Sequence, residues 1–195
     1  MNQEIHAAEQ DVEQGGRGLA KLNPAPRQAY VFVLKIDGAP GPLGIVEAVA
    51  QYDVANEDQC GRIQPGSGTP GRITSQEPVA LRRVSDTEYK GTIYLDRMQD
   101  EDYYGKGVCR WEFTGASAML KATGAEGETR FTSFLEAPQF TKGEPLVRYY
   151  PNAVYPRAAA LPDYSTDGES ARTNFKPEIQ DALFSVQLSA QQVQP

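Results

Sequence analysis

Two acidic clusters in this chain each run into a cysteine. Asp53, Asn56, Glu57 and Asp58 precede Cys60, while Asp96, Asp100, Glu101 and Asp102 precede Tyr103-Tyr104-Gly105-Lys106-Gly107 and then Cys109. Carboxylates at this density have three chemical uses: holding calcium, flanking a glycosidic bond, or steering a basic protein partner. For calcium, Asp100, Asp102 and Gly105 occupy offsets one, three and six of an EF-hand loop, but Tyr104 stands at offset five. Offset twelve, which must supply a bidentate carboxylate, is Trp111. A calcium site of another kind, built from Asp96, Asp100 and Asp102, stays open beside the plainer reading of a solvated acidic turn. Glycoside hydrolysis needs two carboxyls about 5 to 10 Å apart across a cleft. Glu47 and Glu112 project from expected strand faces, yet nothing singles them out from the other acids. Protein recognition uses both residue types in Asp100-Glu101-Asp102-Tyr103-Tyr104, charge for steering and rings for contact area. The structural alternative is that Tyr103 and Tyr104 cap the core where a strand begins.

The rest of the composition removes many other mechanisms. The single histidine, His6, lies in a polar opening stretch. A Ser-His-Asp or Cys-His nucleophile needs a positioned base, and a catalytic zinc normally takes two or three imidazoles. We therefore expect no enzymatic activity and, calcium aside, no cofactor. Of 195 residues, 26 are acidic and 19 basic, a net charge of −7 that disfavours broad binding to nucleic-acid phosphates or anionic lipid. The expected partner is a protein with a basic contact surface. Neither glycine-rich stretch makes a nucleotide site: GGRG near residue 15 follows no strand, and Gly66 to Gly71 is followed by Arg72 and Ile73 instead of Lys and Ser/Thr.

Cys60 and Cys109 are the only cysteines, too few for a structural zinc site and too far apart for a CxxC motif. Two readings stand, a bridge between them or two separate buried thiols. In 108–113, alternation places Cys109, Trp111 and Phe113 on one face, which is expected to point inward. A bridge closing a loop of about 50 residues stabilises by roughly 4 kcal/mol in the chain-entropy treatment. It would tether both acidic clusters to one covalent point and imply an oxidising compartment. The chain as written opens without a basic and apolar export signal, so the expectation is a periplasmic or lipid-anchored protein seen without its leader.

The elements that must position these residues are short and β-rich. The 14 prolines and 18 glycines punctuate the chain, and no run approaches the roughly 20 apolar residues of a membrane helix. Residues 1–28 lack sustained periodicity and are expected to be a flexible tail and linker. Residues 29–195 are expected to be a single domain. Aromatic and β-branched enrichment predicts strands over 29–36 and 44–53, with a hairpin from 79–84 and 88–96. Further strands are predicted over 109–114, 116–123, 129–135, 146–150 and 182–190, although 116–122 also fits a short helix. Seven to nine strands at about ten-residue spacing predict an all-β fold, an antiparallel β-sandwich or open barrel with long loops. The irregular stretch 54–78 is long enough to be either functional or tied down, with Cys60 as the tie. Residues 151–177 either drape over the sandwich as packing or project as a recognition arm carrying Tyr155 and Tyr164.

The segment from Ala50-Gln51-Tyr52-Asp53-Val54 to Cys60, together with Asp100 to Trp111, resembles small disulfide-bridged periplasmic proteins of proteobacteria of the effector-immunity type. The likeness covers about residues 30–135. It implies a periplasmic immunity protein that blocks a secreted antibacterial effector, a phospholipase or cell-wall hydrolase delivered by a type VI or related secretion system. On that implication the contacts would come from Asp100, Glu101, Asp102, Tyr103 and Tyr104 and from Tyr155 and Tyr164. The alternative is a calcium- or ligand-binding envelope module.

Overall fold

A computed structural model describes residues 18–193. His6 and most of the expected tail lie outside the described residues. Ten strands form two five-stranded sheets, ordered β4-β5-β1-β10-β8 and β3-β2-β6-β7-β9. The strands are β1 Ala29–Asp37, β2 Ile45–Val54, β3 Thr74–Pro78, β4 Arg82–Arg83 and β5 Glu88–Tyr94, followed by β6 Trp111–Lys121, β7 Arg130–Glu136, β8 Leu146–Pro151, β9 Ser165–Thr166 and β10 Leu183–Gln192. Two short helices, α1 Glu57–Cys60 and α2 Ala137–Lys142, interrupt them. The all-β sandwich expected from the sequence is what forms.

Contacts gather in two compact units. One, here the sandwich unit, comprises Tyr30–Val49, Pro78–Thr92 and 115–193; the other, here the cysteine unit, comprises 18–29, Ala50–Glu77 and Ile93–Thr114. Strands β1, β2, β3, β5 and β6 have residues in each.

In the sandwich unit, strict alternation sends one face of each strand inward. Phe32, Leu34 and Ile36 of β1 and Phe184, Val186 and Leu188 of β10 are buried, and the two strands pair antiparallel from Tyr30↔Gln192 to Asp37↔Ser185. From the other sheet come Ala116, Ala118 and Leu120 of β6 and Phe131 and Leu135 of β7. Rings join the layers: Phe131 meets Tyr150 edge-on at 5.4 Å and Phe184 at 5.0 Å. Such contacts add about 0.5–1.5 kcal/mol each beyond area burial. Burial raises the pKa of the Tyr150 hydroxyl, which donates to the Thr132 carbonyl at 2.6 Å. The ring of Phe134 lies over Gly115, where an added Cβ would approach it to 2.4 Å. Glycine here admits a neighbour's ring, and β6 runs through it unbroken.

Several local readings need correction. Residues 109–114 and 116–123 are not two strands, since Trp111–Lys121 is continuous, and the helical option for 116–122 falls away. A strand, β3, forms inside 54–78, read as irregular; its buried residues are Ser75 and Glu77, so no apolar alternation announced it. The hairpin arm expected over 79–84 shrinks to the two-residue β4. Helix α2, unforeseen, starts with Pro138 in its first turn and stops at Gly143, whose φ of 71° suits glycine.

The 151–177 connection is built in as packing. Thr129 donates its N–H to Pro156 and its hydroxyl to the Val154 carbonyl. Ser165 and Thr166 extend the sheet in parallel beside Arg130 and Phe131, and Tyr149 and Glu169 exchange both backbone bonds. At the 122–128 turn, Glu128 is only 5% exposed. Its carboxylate accepts from the Thr123 N–H, the Thr123 hydroxyl and the Gly124 N–H. The Thr123 hydroxyl, outweighing desolvation together with these amides, holds its pKa below the ordinary glutamate value.

A carboxyl with a depressed folded pKa stabilises the fold above its unfolded pKa, about 4.3, and loses that contribution as pH falls through the lower folded value. Replacing Glu128→Gln should therefore cost about 1–3 kcal/mol at pH 7 in urea unfolding. The gap between wild type and variant should narrow steadily below about pH 4.

Candidate functional site

The cysteine unit buries Ala50, Tyr52, Ile93 and Met98. Around its bridge a further cluster of buried residues, Val54, Cys60 and Cys109, has Ile73, Tyr103, Tyr104 and Trp111 packed against it half-buried. Cys60 and Cys109 are joined, with Cα atoms 5.2 Å apart at a sequence separation of 49, so the reading as separate thiols is excluded. Both sulfur-bearing residues are fully buried. Two of the three buried residues of this cluster are thus one covalent link.

Around it, polar side chains replace sheet pairing. The Asn56 carboxamide acts as a peptide would: its Nδ2 donates to the Val108 carbonyl at 2.9 Å and its Oδ1 accepts from the Arg110 N–H at 2.8 Å. Ala55 adds a backbone bond to the Arg110 carbonyl. Lys106 reaches Gly61 through Nζ at 3.3 Å. The segments preceding the two cysteines are therefore fastened to each other by the disulfide, one amide and one ammonium.

The expected contact residues are placed as follows. Asp100 Oδ1 accepts the Trp111 N–H at 2.9 Å, and Asp102 Oδ1 accepts the Lys106 N–H at 3.0 Å. Desolvation raises the Asp102 pKa, but hydrogen bonds from the Lys106, Gly107, Gly105 and Tyr104 amides outweigh it and leave the carboxyl below its ordinary value. Glu101 pairs with Lys21 at 2.7 Å, both side chains at least a third exposed, a geometry worth little in water. The Tyr103 hydroxyl donates to the Gln99 carbonyl and accepts from the Lys21 N–H. Asp100 and Asp102 are turned toward nearby backbone donors, a role that their sequence spacing did not announce. Tyr155 and Tyr164 belong to the sandwich unit: the Tyr155 hydroxyl donates to the Pro42 carbonyl at 2.6 Å, and the Tyr164 carbonyl accepts the Arg130 N–H.

Asp96, the third candidate calcium ligand, accepts from the Arg27 and Gln28 N–H groups. Residues 18–28, the described part of the expected tail, run beside 95–101, with Leu22 bridging Met98 and Gln99 donating to Lys21. Among the described residues no three His, Cys, Asp or Glu side chains group as a metal site. Glu47 and Glu112 are exposed on their strands.

Asp53 has a cationic partner in Arg72 at 2.7 Å. Burial raises its carboxyl pKa, but hydrogen bonds from Arg72, Thr74, Gln51 and Thr114 outweigh that and lower it. A recess of about 80 Å³ is lined by Leu19, Arg72, Ile73, Tyr103, Tyr104 and Trp111. Ligand pockets commonly measure about 300–1,000 Å³, so this one admits a few water-sized groups only. Near the two cysteines in sequence, Ile63 is 54% exposed and Val108 50% exposed. The sequence reading missed both Asn56 as a peptide mimic and Arg72 as the partner of Asp53; only the acid–base pairing of Asp53 with some later arginine was open to guess.

No family model, curated protein or solved structure matches this chain. No helix among the described residues is long and apolar enough to cross a membrane. The buried disulfide is compatible with an oxidising compartment.

Changing Asn56→Ala removes one donor and one acceptor at the junction of the two loops. It should lower stability to urea by about 1–2 kcal/mol and speed tryptic cleavage after Lys106 and Arg110, measured by mass spectrometry of timed digests.

Proposed function

We propose that the protein is a periplasmic immunity protein that binds and blocks a secreted antibacterial hydrolase, presenting the loops of its cysteine unit to that partner. The observation that carries this reading is the fixing of two long exposed segments, 55–73 and 99–110, onto a cluster whose buried members are Val54 and the Cys60–Cys109 bridge. A rigid loop gives up little conformational freedom on binding, so more of its contact energy appears as affinity. The small recess beside Trp111 suits this use better than the binding of a substrate-sized molecule.

Calcium binding is the weaker reading. Asp96, Asp100 and Asp102 each accept backbone N–H bonds, and a calcium ion would have to compete for those oxygens. The same geometry changes what the acids do for binding. Reversing Asp100 or Asp102 would unfasten the loop as well as alter its charge, so loss of binding in those variants would not identify a contact.

The test is a pull-down and inhibition assay with the hydrolase encoded by the reading frame adjacent to this protein's own. Oxidised protein should form a stoichiometric complex with that enzyme and suppress its turnover. Full turnover in the presence of excess protein would contradict the proposal.

A further inference from the structure

We infer that the outward face of β6 and β7 is an interface between two copies of this chain, stacked face to face so that Arg130 of each copy meets Glu136 of the other. The surface lies wholly within the sandwich unit and does not depend on the proposed function.

Alternation along β7 buries Phe131, Ser133 and Leu135 and turns Arg130, Thr132, Phe134 and Glu136 outward. On β6, Ala116, Ala118 and Leu120 point into the core, so Ser117 and Met119 face outward beside their partners Phe134 and Thr132. Neither strand carries a charge between the two ends of this face. Phe134 is 38% exposed, and its ring lies over Gly115, where an added Cβ would meet it at 2.4 Å. A ring already ordered against the sheet gives up little freedom on contact, which makes it an effective anchor. Glu47, exposed on the neighbouring β2, and Asp167, which accepts the Thr132 hydroxyl, flank the strip.

The two ends carry opposite charge. Arg130 and Glu136 are both exposed and stand six residues apart on one strand. At about 3.3 Å per residue they are separated by about 20 Å, too far to pair within one chain. Neither forms an ion pair among the described residues. Arg130 Nη2 donates only to the Asp163 carbonyl at 3.3 Å, and Glu136, at the start of α2, makes no side-chain capping bond. Lys121, the residue after Leu120 in its pair with Phe131, adds a second cation at the Arg130 end.

This order is its own complement. A two-fold axis in the plane of contact, crossing β7 at Ser133 and β6 at its partner Ala118, reverses the strand direction. It brings Arg130 over Glu136 and Phe134 over Thr132 of the second copy, and each contact occurs twice, as a closed pair requires. Sheets commonly stack face to face in this manner. A second copy is the occupant that the pattern selects, because one surface supplies both the charges and their complement in matching positions. A strip this narrow belongs with small interfaces, so the dimer should exchange with monomer at roughly micromolar concentrations.

The experiment is sedimentation velocity on the full oxidised chain from about 1 µM to about 1 mM. Wild type should pass from monomer to dimer across that range. Arg130→Glu or Glu136→Arg alone sets like charges opposite each other twice and should weaken association by about tenfold or more at an unchanged melting temperature. An equimolar mixture of the two variants should return to within about threefold of wild type, because their heterodimer regains both opposite-charge pairs. Repacking inside one chain cannot produce that recovery. Wild type that stays monomeric, reversals that leave association unchanged, or a mixture no tighter than either variant alone would overturn the inference. Monomeric wild type in which either reversal weakens inhibition of the adjacent hydrolase would assign the face to that enzyme and overturn it equally.

Discussion

The bond between Cys60 and Cys109 is the constraint on which the cysteine unit depends. Ordering the loops of that unit costs about 1–2 kcal/mol of backbone entropy per residue. The covalent link acts on the other side of the balance. By closing a 49-residue separation it removes conformations from the unfolded chain, about 4 kcal/mol in the chain-entropy treatment. It also places two small apolar residues at the centre of the cluster that Tyr103, Tyr104 and Trp111 cover. The sandwich unit relies on alternating strands and a joined set of rings, Phe131, Tyr150 and Phe184, to do the same work.

Hydrogen bonding to backbone donors then determines what the acidic residues mean. Asp96, Asp100 and Asp102 satisfy main-chain N–H groups that no ladder reaches, and Glu128 does so at a turn of the sandwich unit. An acidic run in the sequence is therefore a set of loop braces. Among the described residues, the exposed large apolar side chains of the cysteine unit are Ile63 and Val108.

Much of the fold was legible because burial and period coincide. Aromatic and β-branched enrichment placed β1, where Phe32, Leu34 and Ile36 turn inward, and the alternation of Phe184, Val186 and Leu188 with Ser185 and Gln187 placed β10. The disulfide was legible as one of two options from cysteine count alone. Strand β3 was not, because it buries Ser75 and Glu77, and polar residues facing inward erase the signal that period-reading uses. The continuity of β6 was hidden by Gly115, a usual breaker that here makes room for the Phe134 ring. The direction of the Asp100–Asp102 side chains was hidden too, since spacing specifies a cluster without saying which way it faces.

The most direct test of this account is hydrogen exchange followed by mass spectrometry, comparing oxidised protein with protein reduced by dithiothreitol under native conditions. If the bridge organises the cysteine unit, amides in 99–111 and 57–61 will lose protection on reduction, while peptides from β1 and β10 keep theirs. Unchanged protection at Cys109, Arg110 and Trp111 after complete reduction would show that the loops are held by something other than the disulfide, and would contradict the account.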